Sequence, residues 1–347
     1  MKLRVKHIIL LIFMLSFGRM QSQESFYSQF YNTPTFYNPA YTGYFPGLKV
    51  RINYRNQWPQ YTDDLKTYNF SMDLAERSMP GAGGLGLIFN TNKEGSGYIK
   101  RTMIGLMGSA RIKHSRRIIS QFGFTAAYVQ KQIDADDFIF SDQLDDRHGL
   151  YYPVSSFGGF ADEKVSYPDL SLGGLVNYKE RYISATFGFA VHHVTKPNES
   201  FSNLDMRVPR RYVVHTDFVI LQQNNAKKGF RFNPAILYEN QAGFNTFTLG
   251  MNVSKSALYV GAWYRNKQSL IYDFQSMILT AGLKIPMVNE YSRMKLMYSY
   301  DLSLTSMKGS GGAHEISLKF EFDLIHLIKS SSYFANDYPV IFESLRF

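Results

Sequence analysis

From about position 48 onward the chain alternates between apolar and polar residues with a period of two. Leu48, Val50, Ile52 and Tyr54 interleave with Lys49, Arg51, Asn53 and Arg55. Met294, Leu296, Tyr298 and Tyr300 interleave with Arg293, Lys295, Met297 and Ser299, and Ile316, Leu318, Phe320 and Phe322 with Glu315, Ser317, Lys319 and Glu321. Phe232, Pro234, Ile236 and Tyr238 keep the same rhythm less cleanly against Arg231, Asn233, Ala235 and Leu237. Successive side chains of a strand point to opposite faces, so this rhythm predicts strands with one apolar and one mainly polar face. A soluble sandwich buries the apolar face, whereas a membrane barrel turns it to lipid and keeps the charges in its lumen.

The pattern predicts strands near 48–57, 66–74, 83–90, 101–113, 117–130, 170–179, 181–192, 210–222, 229–240, 243–253, 257–265, 276–285, 292–301 and 313–322. These are fourteen strands, an even number, as bacterial single-chain barrels have. The connections separate by parity. On one side lie 75–82, 114–116, 180, 223–228, 254–256 and 286–291; on the other lie 91–100, 131–169, 193–209, 266–275 and 302–312, with 241–242 the short exception. Long loops at one end and short turns at the other belong to an outer-membrane barrel, and a sandwich has no reason to sort its loops this way. The expected fold class is therefore all-β, a transmembrane antiparallel β-barrel of about 14 strands over 48–322, with the N-terminal segment 24–47 before it and a C-terminal tail, 323–347, after it. Tyr178, Tyr182, Tyr212, Tyr238, Tyr259, Tyr264 and Tyr298 are candidates for interfacial girdles, or are simply residues that favour strands.

The N-terminus sets the compartment. Residues 1–23 carry Lys2, Arg4 and Lys6, then the apolar run Ile8–Phe17, then Arg19 and small or polar residues around Ser22. This is the layout of a secretory signal peptide; the run is too short for a membrane helix, which needs about 20 residues. Without those four basic residues the formal charge of +10 falls to 34 basic against 28 acidic, or +6. No unbroken basic block occurs, so nucleic acid is not an expected partner. Charged residues make up only 19% of the 347 and aromatics 16%. The absence of cysteine removes disulfide scaffolds, Cys-ligated zinc and Cys nucleophiles.

Catalytic motifs are not apparent. Gly81, Gly83 and Gly86 fit G-x-G-x-x-G, but that motif needs a helix after it and here a strand is predicted. His192 and His193 are neighbours, placed by strand geometry on opposite faces. Asp134, Asp136, Asp137, Asp142, Asp145 and Asp146 are of a type that could hold Ca²⁺ through oxygen ligands, yet the EF-hand pattern fails and a solvated acidic loop is preferred. No enzyme, cofactor or metal is expected.

The start of the mature chain, SFYSQFYNTPTFYNPAYTGYFPG (Ser25 to Gly47), resembles the opening of the PorP/SprF family. Tyr27-Ser28-Gln29-Phe30 and Asn38-Pro39-Ala40-Tyr41-Thr42-Gly43 stand where that family has its opening phrases. RNQWP (Arg55 to Pro59), SDQ (Ser141 to Gln143), SYDLSL (Ser299 to Leu304) and GAHEISLKFEF (Gly312 to Phe322) resemble further family stretches. The tail 323–347 departs from the family, whose members often stop soon after the last strand. The resemblance implies an outer-membrane component of the type IX secretion system of Gram-negative bacteria. Such a component supports export or surface anchoring of a large cell-surface protein such as a gliding adhesin. Expected partners are secretion components, the exported protein, a peptidoglycan-linked periplasmic protein and outer-membrane lipid, with both termini periplasmic. A porin or solute transporter is the alternative, and a secreted carbohydrate-binding β-protein a weaker third. Asn38, Pro39, Ala40, Tyr41, Gly43, His314 and Glu315 are the candidates for partner binding or for a plug. Pro39 fits a turn better than a membrane strand, because proline lacks a ladder donor.

Overall fold

The computed structural model describes residues 26–322, apart from 62–64, 76–81, 95–98, 134–142, 146–148, 151–162, 202–204, 223–228, 268–273, 288–291 and 305–308. The stretch 1–23, the tail 323–347 and most of the acidic stretch 134–146 lie outside the described residues.

β1 (Leu48–Gln57), β2 (Lys66–Ala75), β3 (Ala82–Glu94), β4 (Ile99–Lys113) and β5 (Ile118–Ile133) form an antiparallel meander. Two short strands, β6 (Leu144–Asp145) and β7 (Gly149–Leu150), pair with each other apart from it. The meander resumes with β8 (Lys164–Lys179), β9 (Ile183–His192), β10 (Arg211–Leu221), β11 (Phe230–Gln241) and β12 (Phe244–Lys255). It ends with β13 (Leu258–Lys267), β14 (Phe274–Pro286), β15 (Ser292–Ser303) and β16 (Ala313–Phe322). β16 pairs with β1 from Leu48↔Phe322 to Gln57↔Ala313, which closes a barrel of fourteen strands. Closure leaves the barrel without an edge strand, so the wall satisfies its backbone hydrogen bonds between neighbouring strands, apart from the β10–β11 rungs beside Pro234. Among the described residues no helix is long and apolar enough to cross a membrane.

Burial along the strands is the inverse of that in a soluble protein. Lys49, Arg51, Asn53 and Arg55 are at most 4% exposed, while Ile52 between them is 41% exposed. Leu85, Leu106, Phe122, Phe187 and Leu258 stand out from the wall in the same way. An apolar surface wrapped round the whole barrel is stable only where lipid covers it. The apolar set is thus the lipid face, and the sandwich reading is excluded.

Several expectations change. β5 and β8 run on past their predicted ends, so the expected loop 131–169 shrinks to 134–163, and β3 and β4 likewise reduce the expected long loop 91–100 to 95–98. The added rungs, such as Gln132↔Lys164 and Tyr128↔Pro168, are too polar or proline-bearing to read as strand from composition. Tyr259 also faces the lumen and is buried, so it belongs to no girdle. Tyr178 and Tyr182 are exposed at the short-turn end, and Tyr212, Tyr238 and Tyr298 toward the long-loop end.

Candidate functional site

The lumen is occupied by the chain's own N-terminal segment. Residues 26–47 form two 3-10 turns, Phe30–Asn32 and Pro39–Tyr41, on either side of a short helix, Pro34–Tyr37. Pro34 and Pro39 each open a helical turn, where a missing N–H costs nothing. The Asn38 side chain accepts from Ala40 N at 2.9 Å and so closes the second turn on itself. Tyr27, Phe36, Tyr37, Ala40, Tyr41 and Tyr44 are all buried. Ser28, Gln29, Asn32, Thr33, Thr35, Asn38 and Thr42 are buried among these aromatics, so a knot of mixed polarity sits inside the polar-walled lumen. Burial pushes the phenols of Tyr27, Tyr31, Tyr37, Tyr41 and Tyr44 upward, so each stays neutral.

Toward the long-loop end the segment is held by an ionic cluster. Ser28 N donates to Glu315 Oε2 at 2.7 Å and Gln29 N to Glu315 Oε1 at 3.3 Å. Ser28 Oγ donates to Asp301 Oδ2 at 2.5 Å. Arg55 pairs with Asp301 at 2.9 Å and with Glu315 at 3.4 Å, and also donates to Ser28 Oγ. Arg265 pairs with Asp301 at 3.3 Å and donates to Tyr27 O at 2.9 Å. Phe26 lies between the two guanidiniums, 5.3 Å from Arg55 and 4.5 Å from Arg265. Two arginines and two carboxylates balance inside the barrel. A buried charge needs such pairing, because losing one partner strands the other.

Midway, Tyr37 O meets His192 Nε2 at 3.0 Å, and Arg211 donates to Phe36 O at 3.3 Å. His193 turns into the left-handed region with φ 55 and pairs with Asp169 at 2.8 Å. Both histidines are therefore buried, not split between two faces, because the chain leaves the strand at His193. They serve different partners.

At the far end the Asn38–Gly43 stretch sits in a seat made by the absence of side chains. Asn38 Nδ2 donates to Gly174 O at 3.1 Å and lies 3.0 Å from His215 Nε2. A Cβ on Gly173 would lie 2.1 Å from Asn38 Oδ1, and one on Gly188 would lie 2.1 Å from His215 Nε2. Gly43 has φ +60, and its missing Cβ would fall 2.5 Å from Gly84 Cα. Gly43 N donates to Asp73 Oδ2 at 2.9 Å, and Asp73 is in turn paired with Arg51. Arg111 donates to Gly43 O at 2.9 Å and Tyr44 O at 2.8 Å, and Gln121 to Thr42 O at 2.7 Å. Tyr41 Oη donates to Asp217 Oδ1 at 2.7 Å.

The structure thus brings Asn38, Pro39, Ala40, Tyr41 and Gly43 together against one stretch of wall, and Glu315 to the other end of the same segment. It separates His314, which faces outward and meets Tyr298 Oη through Nδ1 at 2.7 Å. Asp73, Gly173, Gly188 and His215 were not singled out from the sequence, and Arg55 and Asp301 only as members of family-like stretches. All lie on β-strands; for Arg55 the alternation gave the lumen face, but nothing local gave the contact. Ser28, Arg55, Asp301 and Glu315 come from four of the family-like stretches and meet in one cluster. β3 runs through Gly83 and Gly86 as strand, so no phosphate loop stands there. Among the described residues no group of three His, Asp or Glu side chains is placed to hold a metal.

A closed, even-stranded antiparallel barrel with an apolar exterior, a charged inner wall and its own chain folded into the lumen defines an outer-membrane β-barrel. The chain belongs to the family of type IX secretion system membrane proteins PorP/SprF, which matches residues 19–320. Family and fold are those of a secretion and outer-membrane component, not of a known enzyme class. No curated protein matches the chain. Among solved structures it is similar to a FadL homologue of Pseudomonas aeruginosa, 12% identical, with a TM-score of 0.44 over 84% of this chain and 94% of that one. The monoaromatic hydrocarbon channel CymD is 9% identical, with a TM-score of 0.45 over 84% and 92%. The toluene transporter TodX of Pseudomonas putida is 10% identical, with a TM-score of 0.40 over 85% and 92%.

Proposed function

We propose that this protein is a plugged, non-enzymatic outer-membrane anchor of the type IX secretion system. In this reading it supports export or surface retention of a large cell-surface protein such as a gliding adhesin. The observation that carries the reading is the convergence of Ser28, Arg55, Asp301 and Glu315 on one cluster that holds the N-terminal segment in the lumen. A lumen that holds a buried segment of its own chain does not favour the open-porin alternative. A rigid barrel can still present loops to a client on one side and turns to a periplasmic partner on the other. In the orientation we propose, the short turns and the end of β16 face the periplasm, where a peptidoglycan-linked protein can reach them. The long loops then face outward, and Phe26, beside Arg55 and Arg265, lies in the outer half of the lumen. The deciding experiment compares surface proteomes of a deletion strain and its parent, with a panel of solute uptakes alongside. Loss of one or a few large surface proteins with uptake intact is the expected result. A full set of surface proteins with one failed uptake would replace this reading by the porin.

A further inference from the structure

A cavity of about 110 Å³ remains between the plug and the wall formed by β10–β13, β15 and β16. Its lining is aromatic, with Tyr31, Tyr259, Trp263 and Phe45, and carries two cations, Lys295 and Lys319. Lys319 is paired with Glu321 at 2.7 Å. Lys295 is 6% exposed and makes no ion pair among the described residues. It reaches Asn32 Oδ1 at 3.4 Å and stands over the Tyr259 ring at 4.3 Å. The one carboxylate in the lining, Asp217, is taken by Tyr41.

The cavity also meets a break in the wall. β10 and β11 pair from Arg211↔Gln241 to Asp217↔Ala235 and again at Ile220↔Phe232. Between these rungs Phe218 and Val219 face Asn233 and Pro234 without pairing, although the register is unchanged. Pro234 has no N–H to give, and proline in a central strand marks such an interruption. All four of these residues line the cavity, so it runs from a buried ammonium through an aromatic wall to a seam facing the lipid.

We infer that this cavity binds a single-chain carboxylate of the fatty-acid class. Its head lies at Lys295 Nζ and its chain runs along Tyr259 and Trp263 toward the β10–β11 seam. The ammonium supplies the charge-assisted hydrogen bond that a desolvated carboxylate needs. The enclosed space takes the head and the first few methylenes, since a 150 Å³ apolar cavity takes benzene, and the rest of the chain lies in the β10–β11 seam. The ligand is held here between plug and wall, because Phe30, Tyr31, Asn32 and Tyr37 of the N-terminal segment form one side of the cavity.

Trp263 is a built-in reporter, and the only other tryptophan is Trp58. In a Trp58→Phe background, purified full-length protein in detergent is titrated with 8-bromooctanoate, whose bromine quenches indole on contact. The inference expects saturable quenching. Lys295→Met should weaken the affinity at least tenfold, Ala235→Phe should abolish saturation by filling the cavity, and 8-bromooctanol should bind at least tenfold more weakly. Heat-modifiable migration of each variant checks that the barrel is intact. Quenching that never saturates, or that is equal for acid and alcohol and indifferent to Lys295→Met, would overturn it.

Discussion

Replacing Glu315 by glutamine tests whether the ionic cluster holds the plug. Glu315 accepts from Ser28 N and Gln29 N and faces Arg55, while Asp301 serves Arg55 and Arg265. The wild-type cluster is balanced, two cations against two anions. Glu315→Gln keeps the shape but leaves one buried positive charge uncompensated and weakens two acceptors. Breaking a buried pair in this way costs about 3–5 kcal/mol. At about 1.4 kcal/mol per decade, local opening of the segment should rise roughly 10²–10⁴-fold. Amide hydrogen exchange in detergent micelles reads this directly at Ser28, Gln29 and the Phe30–Asn32 turn, while strand amides in β1 and β16 serve as the internal reference. The double variant Arg55→Gln/Glu315→Gln restores the balance and should recover part of the protection, a coupling that independent sites would not show. Protection at Ser28 and Gln29 unchanged within threefold in the single variant would refute the idea that this cluster seats the plug.

Gly188→Val places a side chain where His215 Nε2 already lies, so exchange at the Ala40 amide should accelerate at least tenfold while the variant still migrates as a folded barrel; unchanged protection would show that the Asn38 seat is not what it looks like. Protease added to intact cells should cut within 134–163 and spare the short turns, whereas cleavage confined to the short-turn end would reverse the proposed orientation. The mature protein should fractionate with outer membranes and be heat-modifiable on gels, and its recovery as a soluble species without detergent would contradict the membrane reading.

The strands were legible in the sequence because pleat geometry is local. Leu48–Gln57 and Ala313–Phe322 have the bounds that the alternation predicts, and the polar half of each period turned inward. Loop lengths were less legible, since they depend on strand ends: the expected long connection 91–100 is only 95–98 once β3 reaches Glu94 and β4 starts at Ile99. Where polarity or proline interrupts the rhythm, as at Lys164–Leu170, only the partner strand β5 revealed the pairing. The N-terminal segment has no period at all, so its residues could be named as candidates but not placed. What seats it is contact across great chain distance: Ser28 with Glu315, Asn38 with the carbonyl of Gly174, Gly43 with Asp73. The notches at Gly173 and Gly188 are the absence of atoms, and an absence has a shape only when the neighbours are in place. The sequence by itself therefore determined the barrel and its two faces, through a two-residue period. Barrel closure decided the plug, the balanced cluster and the cavity, because each is made by residues that only the closed wall brings within a few ångströms of one another.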